Sequence, residues 1–96
     1  MSHAVPVKFT LGRVVVTPRA SELLGKFGQS PDDLLARHQA GDWGTITDQQ
    51  RQINEEGLSA SLNLVSAFPT PDGQCVHVFT SADRTSTLVH LGHGSA

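Results

Sequence analysis

Apolar and polar residues alternate over residues 5–11, the pattern of a strand with one buried face. Pro6 lacks a backbone N–H, so we expect the start of this strand to lie at a sheet edge. Gly12 interrupts the alternation and indicates a bulge or a turn. The next residues, Arg13 to Val16, are β-branched and apolar after the arginine and predict strand again.

Three helix-start signals follow, each with a hydroxyl side chain that can cap a helix. Thr17 precedes Pro18, Ser30 precedes Pro31, and Thr47 stands three residues before Gln50, which is capping-box spacing. We therefore expect helices over residues 18–27, 31–40 and 48–56, ended by Gly28, Gly41 and Gly57.

The third predicted helix is unusually polar, because Ile53 is the one apolar residue between Asp48 and Glu56. It has too narrow an apolar stripe to be held by core packing alone. We expect it to be held by its ends, by Ile46, Ile53 and Leu58, or by polar contacts.

The last third of the chain predicts three strands, over residues 62–68, 75–81 and 85–91, separated by Pro, Gly and Asp turn residues. A symmetric turn at Asp83 and Arg84 would pair His77 with His90 and Phe79 with Leu88 on one face. The opposite face would carry Val76, Val78, Thr80, Thr87 and Val89 and is the natural cover for the helices.

The predicted fold class is therefore α+β. We expect an N-terminal strand, three short helices and a three-stranded antiparallel meander, with the helices packed on one face of the sheet. The 96 residues suit one domain, with residues 1–4 and 92–96 as loosely held tails.

Composition excludes several classes of protein. With 38% hydrophobic and 17% charged residues, the chain is too apolar for a disordered protein. A net charge of −2 with two lysines argues against binding nucleic acid by bulk charge. One cysteine excludes an internal disulfide framework and favours a reducing, cytoplasmic location. No apolar run approaches the roughly 20 residues of a membrane span. We find no phosphate-binding glycine loop and expect no cofactor.

The first candidate site is His38 with Asp42 and Trp43. In a structural interpretation, Asp42 braces the turn after the second helix and Trp43 fills the small core. In a functional one, the spacing of four places His38 and Asp42 on one side, beside Trp43, for binding a substrate or partner.

The second candidate lies between Thr80 and Thr87, with Asp83 and Arg84. It is either a hairpin tip in which Asp83 bonds its own turn, or an anion site. In the second case Arg84 would bind phosphate or carboxylate, with Thr80 and Thr87 as neighbouring donors.

Two further groups carry weaker signals. Cys75, His77, His90 and His93 are zinc-type ligands, but polar residues are also common on the wet face of a sheet. The polar third helix, with Asn54 and its neighbours Arg51, Glu55 and Glu56, is either a solvated face or a docking surface.

Several segments, taken together, resemble a family of small, mostly uncharacterised bacterial proteins carried on plasmids and integrative elements. They are residues 9–18, 33–38, the Gly-Asp-Trp-Gly of 41–44, Asp48, Asn54, 66–68, Thr80, the Ala-Asp-Arg of 82–84, and Thr87. The family tends to have an aromatic residue where His77 stands and an acid where Ser81 stands. The resemblance implies a bacterial, cytoplasmic, mobile-element context and implies no particular activity.

Two functions from different classes follow. The first is a small non-catalytic accessory or inhibitor protein that binds a macromolecular partner, most simply a protein. The second is a ribonuclease-like enzyme or toxin, in which His38 or His90 would transfer protons while Arg84 and Thr87 steady the phosphate. A homodimer, through the face of Phe79 and Leu88 or through an unpaired sheet edge, is compatible with either.

Overall fold

The computed structural model describes residues 7–92. Their secondary structure is α+β, as predicted, and the sheet has four strands instead of three. The elements in chain order are β1 (Arg13–Val16), α1 (Pro18–Lys26), α2 (Pro31–Gln39), α3 (Asp48–Gly57), β2 (Leu64–Pro69), β3 (Cys75–Thr80) and β4 (Ser86–Leu91).

The sheet has the strand order β1-β4-β3-β2. β2, β3 and β4 form the predicted antiparallel meander, and the register of β3 on β4 is the predicted one, with His77 opposite His90 and Phe79 opposite Leu88. The correction concerns β1, which pairs with β4 in parallel and completes a mixed sheet. The chain pattern carries no information on this pairing, because its two strands are about 70 residues apart.

The predicted strand over residues 5–11 is a second correction. Residues 5 and 6 lie outside the described residues, and residues 7–11 form no strand. Lys8 N–H donates to the carbonyl of Gln39, and the Gln39 side chain donates to the carbonyl of Phe9, so this segment is bonded to the end of α2. At Gly12, with φ of 65°, the chain turns into β1, and a side chain there would overlap the Thr85 backbone.

The helix caps are those that the sequence predicts. The side chains of Thr17, Ser30 and Thr47 accept hydrogen bonds from the backbone of the first turns. The boundaries differ by a residue: α1 ends at Lys26 and α2 at Gln39, while Gly57, predicted to follow α3, is its last residue. Capping chemistry therefore locates helix starts more sharply than helix ends.

The core is made by α1 and α2 packing on one face of the sheet. The residues of this main cluster are Ala20, Leu23, Leu24, Leu34, Leu35, Phe68, Val76, Val78 and Val89. A second cluster joins Phe9 and Trp43 to Leu64. The third helix corrects the prediction that all helices lie on that face, since α3 meets the sheet at its β2 edge, where Asn54 bonds Val65. Ile53 is exposed, and Ile46 and Leu58 pack against the second cluster.

Candidate functional site

His38 lies at the centre of a buried chain of hydrogen bonds that we call the polar chain: Ser66, His38, Thr80 and Thr87, ending at the Leu11 carbonyl. The His38 Nδ1 is 2.5 Å from Ser66 Oγ, and its Nε2 is 2.9 Å from Thr80 Oγ1. Thr80 Oγ1 is 2.8 Å from Thr87 Oγ1, which donates to the Leu11 carbonyl at 2.8 Å. α2 supplies the histidine and the three sheet strands β2, β3 and β4 supply one hydroxyl each.

The hydrogen bonds of the polar chain can point in one direction only. Thr87 uses its proton on the Leu11 carbonyl, so Thr80 must donate to Thr87. Thr80 then has no proton left and must accept from His38 Nε2–H, so Nδ1 is unprotonated and accepts from Ser66. This bonding fixes His38 as the neutral Nε2–H tautomer.

Burial keeps the imidazole neutral. The side chain of His38 has no exposed surface, and the rings of Phe9 and Trp43 lie against it, with centroids 5.1 and 5.5 Å from the imidazole centroid. Desolvation, together with the positive charge of Arg84, lowers the pKa of His38 from 6.5 to about 4. A proton donor or acceptor for a substrate must reach the substrate within hydrogen-bond distance. In this closed arrangement His38 braces α2 against the sheet.

Arg84 holds the β3–β4 turn against the chain that enters β2. Its guanidinium donates to the carbonyls of Leu62 at 2.7 Å, Ser81 at 2.9 Å, Ala82 at 3.2 Å and Gly57 at 2.5 Å. The backbone of Arg84 has φ of 60°, which a non-glycine residue seldom adopts. Since the donors are directed at carbonyls, the fork that would bind a phosphate is already used inside the protein.

Asp83 forms the tip of the same turn. Its carboxylate accepts from the hydroxyls of Ser81 and Thr85 and from the Thr85 backbone N–H. These hydrogen bonds lower the pKa of Asp83 from 3.8 to about 2. Asp83 thus bonds its own turn, as the structural interpretation of this segment has it.

Asn54 and Trp43 occupy the β2 edge of the sheet. The Asn54 amide donates to the Val65 carbonyl at 2.8 Å and accepts from the Val65 N–H at 3.1 Å, which reproduces the pairing of a neighbouring strand. Trp43 is buried, and its indole N–H donates to Glu55 at 2.7 Å. A wholly buried asparagine on a polar helix is explained by this edge pairing.

Asp42 lies apart from these residues, at the surface. Its carboxylate accepts from Arg37 Nε at 2.8 Å and from the Gly44 N–H at 3.3 Å. Because the Asp42 and Arg37 side chains are about half exposed, their ion pair contributes at most about 1 kcal/mol. The Arg37 hydrogen bond makes the largest contribution to lowering the pKa of Asp42, and this favours the ionised carboxylate.

The structure thus places the predicted site residues in separate groups. His38, Thr80 and Thr87 are joined in the polar chain, Arg84 lies near it beside the Phe9 ring, and Asp42 is outside. They do not converge on one open concave surface. Their predicted part in binding stays a prediction.

Ser66 and the Leu11 carbonyl belong to the polar chain and were not among the predicted site residues. Ser66 stands between Leu64 and Phe68 on the buried side of β2. A hydroxyl at an inward position needs a partner, and that is the signal that could have revealed it.

The four residues weighed as candidate zinc ligands can be followed only in part. The rings of His77 and His90 lie edge to face with centroids 5.5 Å apart, and Cys75 is half-buried, which raises the pKa of its thiol. His93 lies outside the described residues. Across residues 7–92 no three His, Cys, Asp or Glu side chains are grouped so as to hold a metal ion.

The face of the sheet turned away from α1 and α2 carries a row of apolar side chains that we call the open face: Val15, Leu88, Phe79 and Val65. The strand registers place these four residues side by side across β1, β4, β3 and β2. Val15 is 47% and Leu88 36% exposed, while Phe79 and Val65 are half-buried. His77 and His90 form the next row on the same face. Exposed apolar surface that spans neighbouring strands is a feature common at interaction sites.

A groove of about 370 Å³ lies between α1 and the end of the sheet. Its lining shares no residue with the predicted sites and consists of Arg19, Glu22, Leu23, Lys26, Gln74 and Leu91. The charged residues among these are exposed, so the groove is a surface depression without a buried polar group to orient a ligand.

Comparison of the chain with protein-family models, with curated proteins and with solved structures gives no match. The resemblance to the mobile-element family therefore stays a prediction. In the part of the chain that the structure describes, none of the helices has the length and apolarity needed to cross a bilayer.

Proposed function

We propose that this chain is a non-catalytic binding protein that contacts a protein partner through its open face. The observation that carries the proposal is the difference between the two faces of the sheet. On the buried face, the polar side chains are hydrogen-bonded to one another in the polar chain. On the open face, Val15, Leu88 and their neighbours present apolar surface to solvent.

The charge distribution supports a protein rather than a nucleic acid as the partner. Arg13 is the one Lys or Arg among the strand residues of the open face, and the chain as a whole has net charge −2. Nucleic-acid binding needs several cations facing the phosphates. An apolar row flanked by imidazoles instead suits the apolar centre and polar rim of a protein interface.

The resemblance to mobile-element proteins supplies the setting of the proposal. In that setting the chain acts as an accessory or inhibitor protein in the bacterial cytoplasm. The segments that carry the resemblance include Gly41–Gly44 and the turn at Asp83 and Arg84, and both are structural braces here. Proteins that share these structural segments would share the fold, and the exposed residues of each protein would determine which partner it binds.

The experiment compares three baits in quantitative pull-downs from bacterial lysate: the wild type, Leu88→Lys and Leu62→Lys. Leu62 is a matched control because it is a leucine of nearly equal exposure, 39% against 36%, that precedes β2 and is not among the strand residues of the open face. We expect a partner that binds the wild type and Leu62→Lys alike. Leu88→Lys should weaken binding at least about tenfold, because a buried lysine charge would be left unpaired.

Circular dichroism of each bait shows whether it remains folded. Equal capture by wild type and Leu88→Lys, or no specific capture by the wild type, would overturn the proposal. The ribonuclease alternative is tested on the same preparations by incubation with RNA. Cleavage that disappears in Arg84→Ala, with that variant still folded, would favour the enzyme instead.

A further inference from the structure

The two edges of the sheet differ in how they are protected. At the β2 edge, Ala67 N–H donates to the Trp43 carbonyl, and Thr45 N–H donates to the Ala67 carbonyl at 2.8 Å. Asn54 pairs with Val65 on the same edge. The main-chain groups that another strand would need at this edge are therefore already bonded within the chain.

The β1 edge has no such cover within residues 7–92, where the one strand beside β1 is β4. Arg13 N–H donates to Thr85 and Thr17 N–H to Val89, both at 2.9 Å. Since backbone groups alternate along a strand, the N–H and C=O of Val14 and Val16 point away from β4.

The side chains of β1 offer little protection against pairing. Val14 and Val15 are exposed, and the strand contains no lysine, proline or bulge, which natural sheets commonly use to block pairing at an edge. Its one charged residue, Arg13, lies at the first position of the strand, before the three valines. β1 is therefore a short, β-branched edge that is open to a further strand.

We propose that the β1 edge binds the β1 edge of a second copy of this chain, in antiparallel orientation about a two-fold axis at Val15. A two-fold axis normal to the sheet keeps the two open faces on the same side. Val14 of each copy then lies opposite Val16 of the other copy, which makes two equivalent pairs. Each pair exchanges two hydrogen bonds, so the contact contains about four. Val15 lies against its own equivalent, on the open face.

Three features favour a second copy over another occupant. The outward groups of Val14 and Val16 are self-complementary in this register. Arg13 of each copy lies opposite Thr17 of the other, so the two guanidinium groups are kept at opposite ends of the contact. Gly12 and Pro18 end the ladder on either side, because Gly12 turns the chain and Pro18 has no N–H.

The covered β2 edge makes the assembly finite. Residues 7–92 of each copy have one open sheet edge, so pairing stops at a closed dimer and does not continue into a fibre. The dimer would form one continuous sheet, and its apolar row would run from Val65 of one copy to Val65 of the other through both Val15 residues. This inference does not depend on the proposed function, although it would double the open face.

The first test is sedimentation velocity of the wild type, Val14→Pro and Val14→Thr from about 5 to 500 µM, a range suited to a small interface. Proline at position 14 removes an outward N–H from each copy and leaves the bonds to β4 intact. We expect a dimer for the wild type and Val14→Thr, and at least about a tenfold larger dissociation constant for Val14→Pro. A wild type that is monomeric throughout, or a Val14→Pro dimer of unchanged strength, would overturn the proposal.

The second test does not need the proline variant to fold. In a Cys75→Ser background, Val15→Cys should form a disulfide-linked dimer on mild oxidation, because the two side chains meet at the axis. Leu88→Cys, also exposed but one strand away from the axis, should not. Crosslinking through Leu88→Cys alone would show that the open faces stack instead. If an unrelated strand peptide bound to β1 while the protein formed no dimer, the proposal that a second copy occupies this edge would be wrong.

Discussion

Acidification from about pH 6.5 to about pH 4 should destabilise this protein through His38. The unfolded chain takes up a proton on His38 near pH 6.5, whereas the folded chain does so near pH 4. Between these values the unfolded state binds more protons, so the stability that His38 contributes is present above pH 6.5 and is lost as the pH falls to about 4.

The magnitude follows from the lowered pKa. The change from 6.5 to about 4 corresponds to about 3 kcal/mol at about 1.4 kcal/mol per pH unit. Full burial of the side chain means that solvent screening does not reduce this figure much. Since small domains have about 5–15 kcal/mol of stability in all, the loss should be readily visible.

The assay is urea unfolding at a series of pH values from about 4.5 to 7.5, spanning the His38 window. Fluorescence of Trp43, the single and buried tryptophan, reports unfolding. Asp42 and Asp83 have lowered pKa values, so their contributions are lost below this window.

The matched variant is His38→Gln, which keeps an amide donor at the position of Nε2. It should be less stable than the wild type at pH 7.5, and its free energy of unfolding should vary less with pH. The difference between the two pH profiles isolates His38 from every other titrating group. Parallel profiles for the two proteins would refute the reasoning, whatever their absolute stabilities.

Three further substitutions test the braces by the same urea assay at pH 7.5. Arg84→Lys should lower the free energy of unfolding by about 2 kcal/mol, because one ammonium cannot reach all the carbonyls that the guanidinium bonds. The control Arg51→Lys, at an exposed position of α3, should change it by less than about 0.5 kcal/mol. Asn54→Leu should cost about 2 kcal/mol by leaving the edge groups of β2 unpaired. Gly44→Ala should cost at least about 2 kcal/mol, since its Cβ would overlap the Ala67 carbonyl oxygen at a positive φ.

Equal effects of Arg84→Lys and Arg51→Lys would show that the carbonyl contacts carry no stability. A neutral Asn54→Leu would mean that water or another group replaces the amide at the β2 edge. A tolerated Gly44→Ala would mean that the segment at Trp43 can leave that edge without cost.

Local signals in the sequence located the helices and the last hairpin. Capping residues such as Thr17 and Thr47 identify a helix start because they satisfy backbone donors within a few residues. The β3–β4 register follows from one turn and a period of two, and it holds across all five pairs. The helix starts and the β3–β4 register depend on residues close together in the chain, so they can be predicted from the sequence.

Contacts between distant segments were not accessible in the same way. The pairing of β1 with β4 and the docking of Phe9 beside Trp43 depend on how the chain closes over long loops. Val15 was therefore not recognised as part of the open face, although Phe79 and Leu88 were placed there correctly.

The candidate residues were selected because they are polar or aromatic at unusual positions. Such a position is explained equally well by a functional site and by an internal structural contact. A polar side chain at an inward position needs either a ligand or an internal partner. Thr80 and Thr87 were expected on the face toward the helices. Two hydroxyls at inward positions already indicate internal hydrogen bonds, such as those that the structure shows.

The most direct test of whether His38 is a sealed brace is its protonation state, measured by long-range 15N NMR of the imidazole at pH 5.5. We expect a neutral ring with the proton on Nε2, since the polar chain allows one direction of hydrogen bonding and the pKa is about 4. A His38 that is cationic at this pH, or that carries its proton on Nδ1 when neutral, would contradict the sealed chain and return the residue to the list of groups able to perform acid–base chemistry.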